Sequence, residues 1–133
     1  MNMGKKMDKI LAEISAGELV DKITILEIKK EKILNKEKLA EVNKELNTLN
    51  ETLRKSINDE SKIINFKNDL KSINLKLWDI EDEKRSAEKK NQFDEKFIEL
   101  ARNVYKFNDE RAKIKLAINK ALGSNIKEVK SYE

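Results

Sequence analysis

The stretch IINFKNDLKSINLKLWDI, residues 63–80, decides how this chain folds. Within it Ile63, Phe66, Leu70, Ile73, Leu77 and Ile80 recur in steps of three and four. An α-helix returns side chains at that spacing to one side, so the segment reads as a helix with a continuous apolar seam of coiled-coil type.

Working outward from it, the polar run Asn58-Asp59-Glu60-Ser61 reads as a turn, with Asp59 or Ser61 capping the seam helix. Before the turn, Leu39, Val42, Leu46, Leu49 and Leu53 form a second stripe, and Leu19, Ile23, Leu26 and Ile33 form an earlier one widened by Ile25 and Ile28. Asn35-Lys36-Glu37-Lys38 separates the two and shifts their phase, so the helix either bends there or restarts with Asn35 as its cap. Ser15 and Glu18 have the spacing of a capping box, which starts the first helix at about Ala16. On the other side, a turn near residues 89–92 precedes a stripe of Phe93, Phe97, Leu100, Val104, Phe107, Ile114 and Ile118 that runs to Leu122. Gly123 is then the natural residue to stop it, because it takes φ > 0 freely.

The expected fold is all-α: helices over 16–57 with a break near 35, 60–90 and 93–122, in one domain spanning 1–133. Short connections make neighbouring helices antiparallel, giving an elongated bundle or coiled coil of three helices, or four if Asn35 opens a new one. Residues 9–14 and 126–132 alternate in part and are expected to pair as two short strands.

Composition points the same way. The chain has 133 residues, no Pro and 3 Gly, which leaves out the punctuation of all-β folds. Its 41% of charged residues would suit disorder, but the regular recurrence of Ile and Leu confines that reading to the ends. With no Cys and no His there is no disulfide, no thiolate nucleophile, no imidazole base and no zinc site of the usual kind. Residues 1–9 lack the apolar run of a signal peptide, and no stretch approaches the ~18 apolar residues that span a bilayer. A cytoplasmic protein without a membrane partner is expected. Net charge is +4, yet Lys alternates with Glu and Asp, and the only basic clusters are Lys29-Lys30-Lys32 and Lys84-Arg85 with Lys89-Lys90. Such runs suit a solvated face better than a nucleic-acid surface.

Three stretches stand out together: SAGELVDKITILEIK at 15–29, LWDIED at 77–82, and NDERAKIK at 108–115 continuing to Asn119. Leu122-Gly123-Ser124 and Glu128-Val129-Lys130-Ser131-Tyr132 extend the pattern. In these motifs the chain resembles a family of short bacterial and phage helical proteins, a domain of unknown function, over nearly its whole length apart from residues 37–68. The resemblance implies a single helical domain and carries over no catalytic residue.

Several polar residues could form a site. Glu18, Lys22 and Lys29 share one side of the first helix, flanked by Asp21, and read as a solvated face with ion pairs. Trp78 adjoins Leu77 as a half-buried packing residue, while Glu81 and Asp82 precede Arg85 by four and three residues, which suits pairing within the helix. Asn108, Arg111, Lys115 and Asn119 share one side of the last helix, and Arg111 occupies a seam position between Phe107 and Ile114. A guanidinium there needs a partner, since burying it unpaired costs several kcal/mol. Asp79, Glu81 and Asp82 on the preceding helix are the candidates. The structural reading is thus an ion-pair cluster of Trp78, Asp79, Glu81, Asp82, Asn108 and Asn119 around Arg111. The sharper one is an anion site of Lys22, Lys29, Arg85, Arg111 and Lys115, holding a dicarboxylate between helices in the manner of all-α mutases of the chorismate type. A third gathers Asp79, Asp82, Glu95 and Glu99 around Mg²⁺, as all-α nucleotide pyrophosphohydrolases do.

The expected function is a non-enzymatic interaction or assembly module without a cofactor, forming a homodimer or joining another protein, because a thin bundle with long stripes leaves apolar surface at its edges. The competing reading is a binder or enzyme for a small anionic molecule.

Overall fold

The computed structural model describes residues 7–129. Four helices follow in order: α1 (Ala16–Lys32), α2 (Lys36–Ser56), α3 (Ile64–Lys89) and α4 (Glu95–Leu122), with a short 3₁₀ turn at Glu60–Lys62 before α3. No strand occurs among the described residues, which corrects the expected pairing of the two ends. Residues 9–14 and 126–129 are irregular, and residues 130–132 of that expectation lie outside the described residues. Side chains tie these ends instead of a ladder: Asn125 Nδ2 donates to the Glu13 side chain (Oε2) at 2.7 Å, and Ser124 Oγ donates to the Ile126 carbonyl at 2.7 Å.

The helix boundaries follow from local chemistry. Ser15 Oγ accepts from the Glu18 N–H at 3.1 Å, closing the first turn of α1. The break at residues 33–35 is a true restart. Ile33 leaves helical geometry at ψ 129°, and Asn35 caps α2 by accepting from the Lys38 N–H at 3.0 Å. Asp59 accepts from the Ser61 N–H at 2.9 Å, and bonding to Ser61, through its hydroxyl first and its N–H second, holds the Asp59 carboxyl below the usual range. Between α3 and α4, Asn91 takes φ 53°, a left-handed value that Asn tolerates because its side chain bonds locally. Asp94 then caps α4 through the Phe97 N–H, two residues later than the expected start, and Phe93 sets its ring edge-on to Phe97 with centroids 5.2 Å apart. At the far end Gly123 has φ 62°, and the bonds Gly123 N–H to Lys120 O and Ser124 N–H to Asn119 O complete a Schellman stop.

One buried cluster holds the helices together: Leu19, Val20, Ile23 and Leu26 of α1, Val42, Leu46 and Leu53 of α2, Ile63 and Leu70 around the start of α3, and Ile118 of α4. Each such side chain contributes roughly 1.5–3 kcal/mol before conformational entropy is charged, so the helices stand only as a group. Burial is uneven. The 17-residue α1 buries eight residues, whereas the 28-residue α4 buries Ile118 and Asn119 alone, with Phe97, Leu100, Val104, Phe107 and Ile114 half-buried. Because α3 and α4 double back on each other through residues 90–94, the end of α3 lies against the start of α4 and Lys76 rests over the Phe107 ring at 5.3 Å.

Candidate functional site

The site begins where α1 meets α4. A Cβ built on Gly17 would come within 2.4 Å of the Lys115 carbonyl oxygen, so only glycine lets the two backbones approach this closely. The first-turn N–H groups of α1 then find partners far along the chain. Ala16 N–H donates to Ser124 Oγ at 3.0 Å and Gly17 N–H to Asn119 Oδ1 at 2.6 Å. Ser15 Oγ, besides capping its own helix, donates to Glu128 Oε1. A helix start leaves these donors without internal partners, and here α4 and the segment after it supply them.

One turn further along α1, Asp21 is 1% exposed. Its Oδ1 accepts from Arg111 Nε at 2.9 Å and its Oδ2 from Arg111 Nη2 at 2.5 Å, the parallel two-point geometry that only a guanidinium offers a carboxylate. Asn74 of α3 donates through Nδ2 to Asp21 Oδ1 at 2.9 Å and to Thr24 Oγ1 at 3.0 Å, while Thr24 Oγ1 donates to the Asp21 carbonyl at 2.7 Å. Bonding to Asp21 raises the Arg111 pKa above its ordinary value, against an opposing effect of burial, so the guanidinium stays charged. Beside it, Lys115 Nζ lies 2.6 Å from Glu18 Oε2 and 3.6 Å from Glu128 Oε2. Three helices and the C-terminal segment therefore bring two polar clusters side by side into one network, with the Glu18 charge acting on Arg111 across them. Its single unmatched group is the buried Asn119 Nδ2, which has no hydrogen-bond partner among the described residues.

Sequence reasoning is corrected here on several residues. Arg111 is neutralised by Asp21 of α1, and Asp79, Glu81 and Asp82 are exposed. Glu81 pairs with Lys84 at 3.6 Å in place of Arg85, and Glu18 turns to Lys115 in place of Lys22. Of the five cations read as an anion site, only Arg111 and Lys115 join the network. Lys22 and Arg85 are exposed, Lys29 is half-buried, and none of the three has a bond into it. Asn108 and Asn119 take part, Asn108 by accepting from Arg111 Nη1 at a long 3.4 Å. Trp78 is half-buried and does not. Asp79, Asp82, Glu95 and Glu99 are all exposed, and among the described residues no three His, Cys, Asp or Glu side chains gather where a metal ion could sit.

Asn74, Thr24, Gly17, Ser124 and Glu128 are the residues that sequence reasoning missed. Gly17, Asp21 and Thr24 follow one another at helical spacing and are all buried, a small and polar stripe beside the apolar one. Asn74 likewise sits on the seam, four residues after Leu70.

Beside the network, an open groove of about 800 Å³ runs along the outer face of α4. Its lining joins the apolar Val104, Tyr105, Ala112 and Leu116 to Arg111 and Lys115 of the network and to Glu128 and Val129 beyond the helix. The Arg111 side chain is 29% exposed, so its outer edge reaches this groove.

A family model described as a family of unknown function, DUF6165, matches residues 10–133. The chain belongs to this family. The DUF6165 match takes in α1, α4 and the segment after α4, and so every residue of the polar network. No curated protein and no solved structure matches the chain. Two of the three motifs singled out in the sequence, those at 15–29 and 108–119, supply most of the network, whereas LWDIED lies apart from it on α3. Among the described residues no helix is long and apolar enough to cross a membrane.

Proposed function

We propose that the protein is a non-enzymatic helical interaction module that associates with a second copy of itself through the outer face of α4, as an edge of an antiparallel bundle. One contrast supports this reading: the cations of the polar network are matched within the chain, and the longest helix keeps an apolar stripe turned outward. Each cation of the network already faces a carboxylate of the same chain, Arg111 with Asp21 and Lys115 with Glu18 and Glu128. An incoming anion would have to displace these partners, and removing one partner of a buried pair costs several kcal/mol. Meanwhile Ile98, Tyr105 and Leu116, spaced seven and eleven apart on α4, are 48%, 56% and 38% exposed, and Ala112 shares their side. A second apolar stripe on one helix is what a helical partner covers.

The competing reading, a site for a small anion, draws on the exposed edge of Arg111 in the groove. Two measurements separate them. Sedimentation equilibrium is expected to return twice the chain mass of 15.5 kDa. A monomer at every accessible concentration overturns the module. A thermal-shift screen with phosphate, dicarboxylates, nucleotides and Mg²⁺ is expected to leave the melting midpoint in place. A midpoint that climbs with ligand concentration replaces the module with a ligand site.

A further inference from the structure

The segment before α1 has a pattern that the fold leaves unused. Met7, Ile10, Leu11 and Ile14 stand at i, i+3, i+4 and i+7, the spacing of one apolar helix face. Yet residues 7–14 are irregular, and these four side chains are 82%, 79%, 87% and 43% exposed. So short a helix does not hold in water by itself and forms only against a surface.

We propose, resting on the α4 self-association above, that this segment docks as a helix in the α4 groove of a second copy, each chain lending its segment to the other. The segment leaves the fold beside the groove: Ser15 bonds Glu128, which lines the groove, and Glu13 is tied to Asn125. A two-fold axis beside α4 then carries each segment across to the other groove. Area favours a reciprocal exchange with a second copy. Four side chains bring roughly 100 Å² of apolar surface each and the groove lining about half as much in all, so one docking buries about 600 Å² and a reciprocal pair about 1,200 Å². The latter reaches the range of specific, stable interfaces, and a single docking falls well short of it. This is the helix-in-groove mode of recognition, with the anchors on one helix face.

The full chain tests it. Ile10→Asp with Leu11→Asp alters only exposed side chains, as does Tyr105→Glu with Leu116→Glu, and circular dichroism is expected to show both folded. Each double variant is expected to weaken the dimer ~100-fold or more in sedimentation. An equimolar mixture of the two is expected to recover association that neither shows alone, because one intact segment meets one intact groove. Since the chain has no Cys, oxidising the Ile10→Cys/Leu116→Cys variant is expected to give a covalent dimer. An internally cross-linked monomer would move the occupant to the segment's own chain and overturn the exchange. If the segment variant dimerises like the wild type while the groove variant does not, α4 self-association survives and the docked segment does not. A wild-type monomer removes both.

Discussion

Helices α1 and α4 meet along one contact, and they are built in opposite ways. In α1, hardly a face is left for water: its apolar stripe enters the core, and its small polar stripe of Gly17, Asp21 and Thr24 lies against α3 and α4. In α4, one seam is half-covered and a second apolar stripe faces outward. The same residue type therefore does different work on each. The Asp21 charge on α1 is answered inside the protein, whereas apolar groups on the outer face of α4 stand exposed. Stability is concentrated in the short helix, and the proposed recognition would fall to the long one.

That contrast can be broken hardest at Arg111. Changing it to Leu leaves the Asp21 carboxylate buried without its cation, and urea unfolding is expected to show a loss of ~3–5 kcal/mol. Adding Asp21→Asn should recover part of the loss, because the buried charge is then gone. An Arg111→Leu protein as stable as the wild type would mean that Asp21 is satisfied without Arg111. Next comes Gly17→Ala, whose methyl group meets the Lys115 carbonyl, with an expected cost of about 2 kcal/mol. Gly123→Ala, at the end of α4 in open space, strains only its own left-handed backbone and should cost about 1 kcal/mol. If the two alanines cost the same, the backbone approach of α1 to α4 is looser than described.

The smallest effect concerns the far end of α1. There Lys71 donates to Glu31 at 2.8 Å and holds that exposed carboxyl below its ordinary pKa. A lowered folded-state pKa contributes stability that is present at neutral pH and lost as pH falls through that lowered value. The difference in urea midpoint between wild type and Glu31→Gln should accordingly shrink between about pH 5 and pH 3. A difference that grows on acidification would reverse the sign.

Much of the fold is legible in the residues themselves. Ser15, Asn35 and Gly123 act as the caps and stop that their types and spacing imply, and the seam of α3 buries Leu70, Ile73 and Ile80. Those signals are local, because a cap acts within one turn and a stripe within one helix. The partner of Arg111 was not legible, since helical spacing says which residues share a face and not which face meets which helix. Proximity along the chain favoured Asp79, Glu81 and Asp82 on the neighbouring helix, yet the partner came from ninety positions away. Asp21 also looks like a surface residue between Val20 and Lys22 until Gly17 and Thr24 are placed on its side. The strand pattern at the two ends failed for a related reason: alternation over so few residues carries little weight, and the contact that joins the ends runs between side chains, Asn125 to Glu13.

The trans-capping of α1 by the end of α4 also bears on the order of events at the ribosome. The Gly17 and Ala16 amides await acceptors 102 and 108 positions later, and Asp21 awaits its guanidinium for 90. At ~5–20 residues added per second, the nascent first helix spends roughly five to twenty seconds with these groups still bound to water. Of the four helices described, the one made first thus waits for the one made last before it is locked.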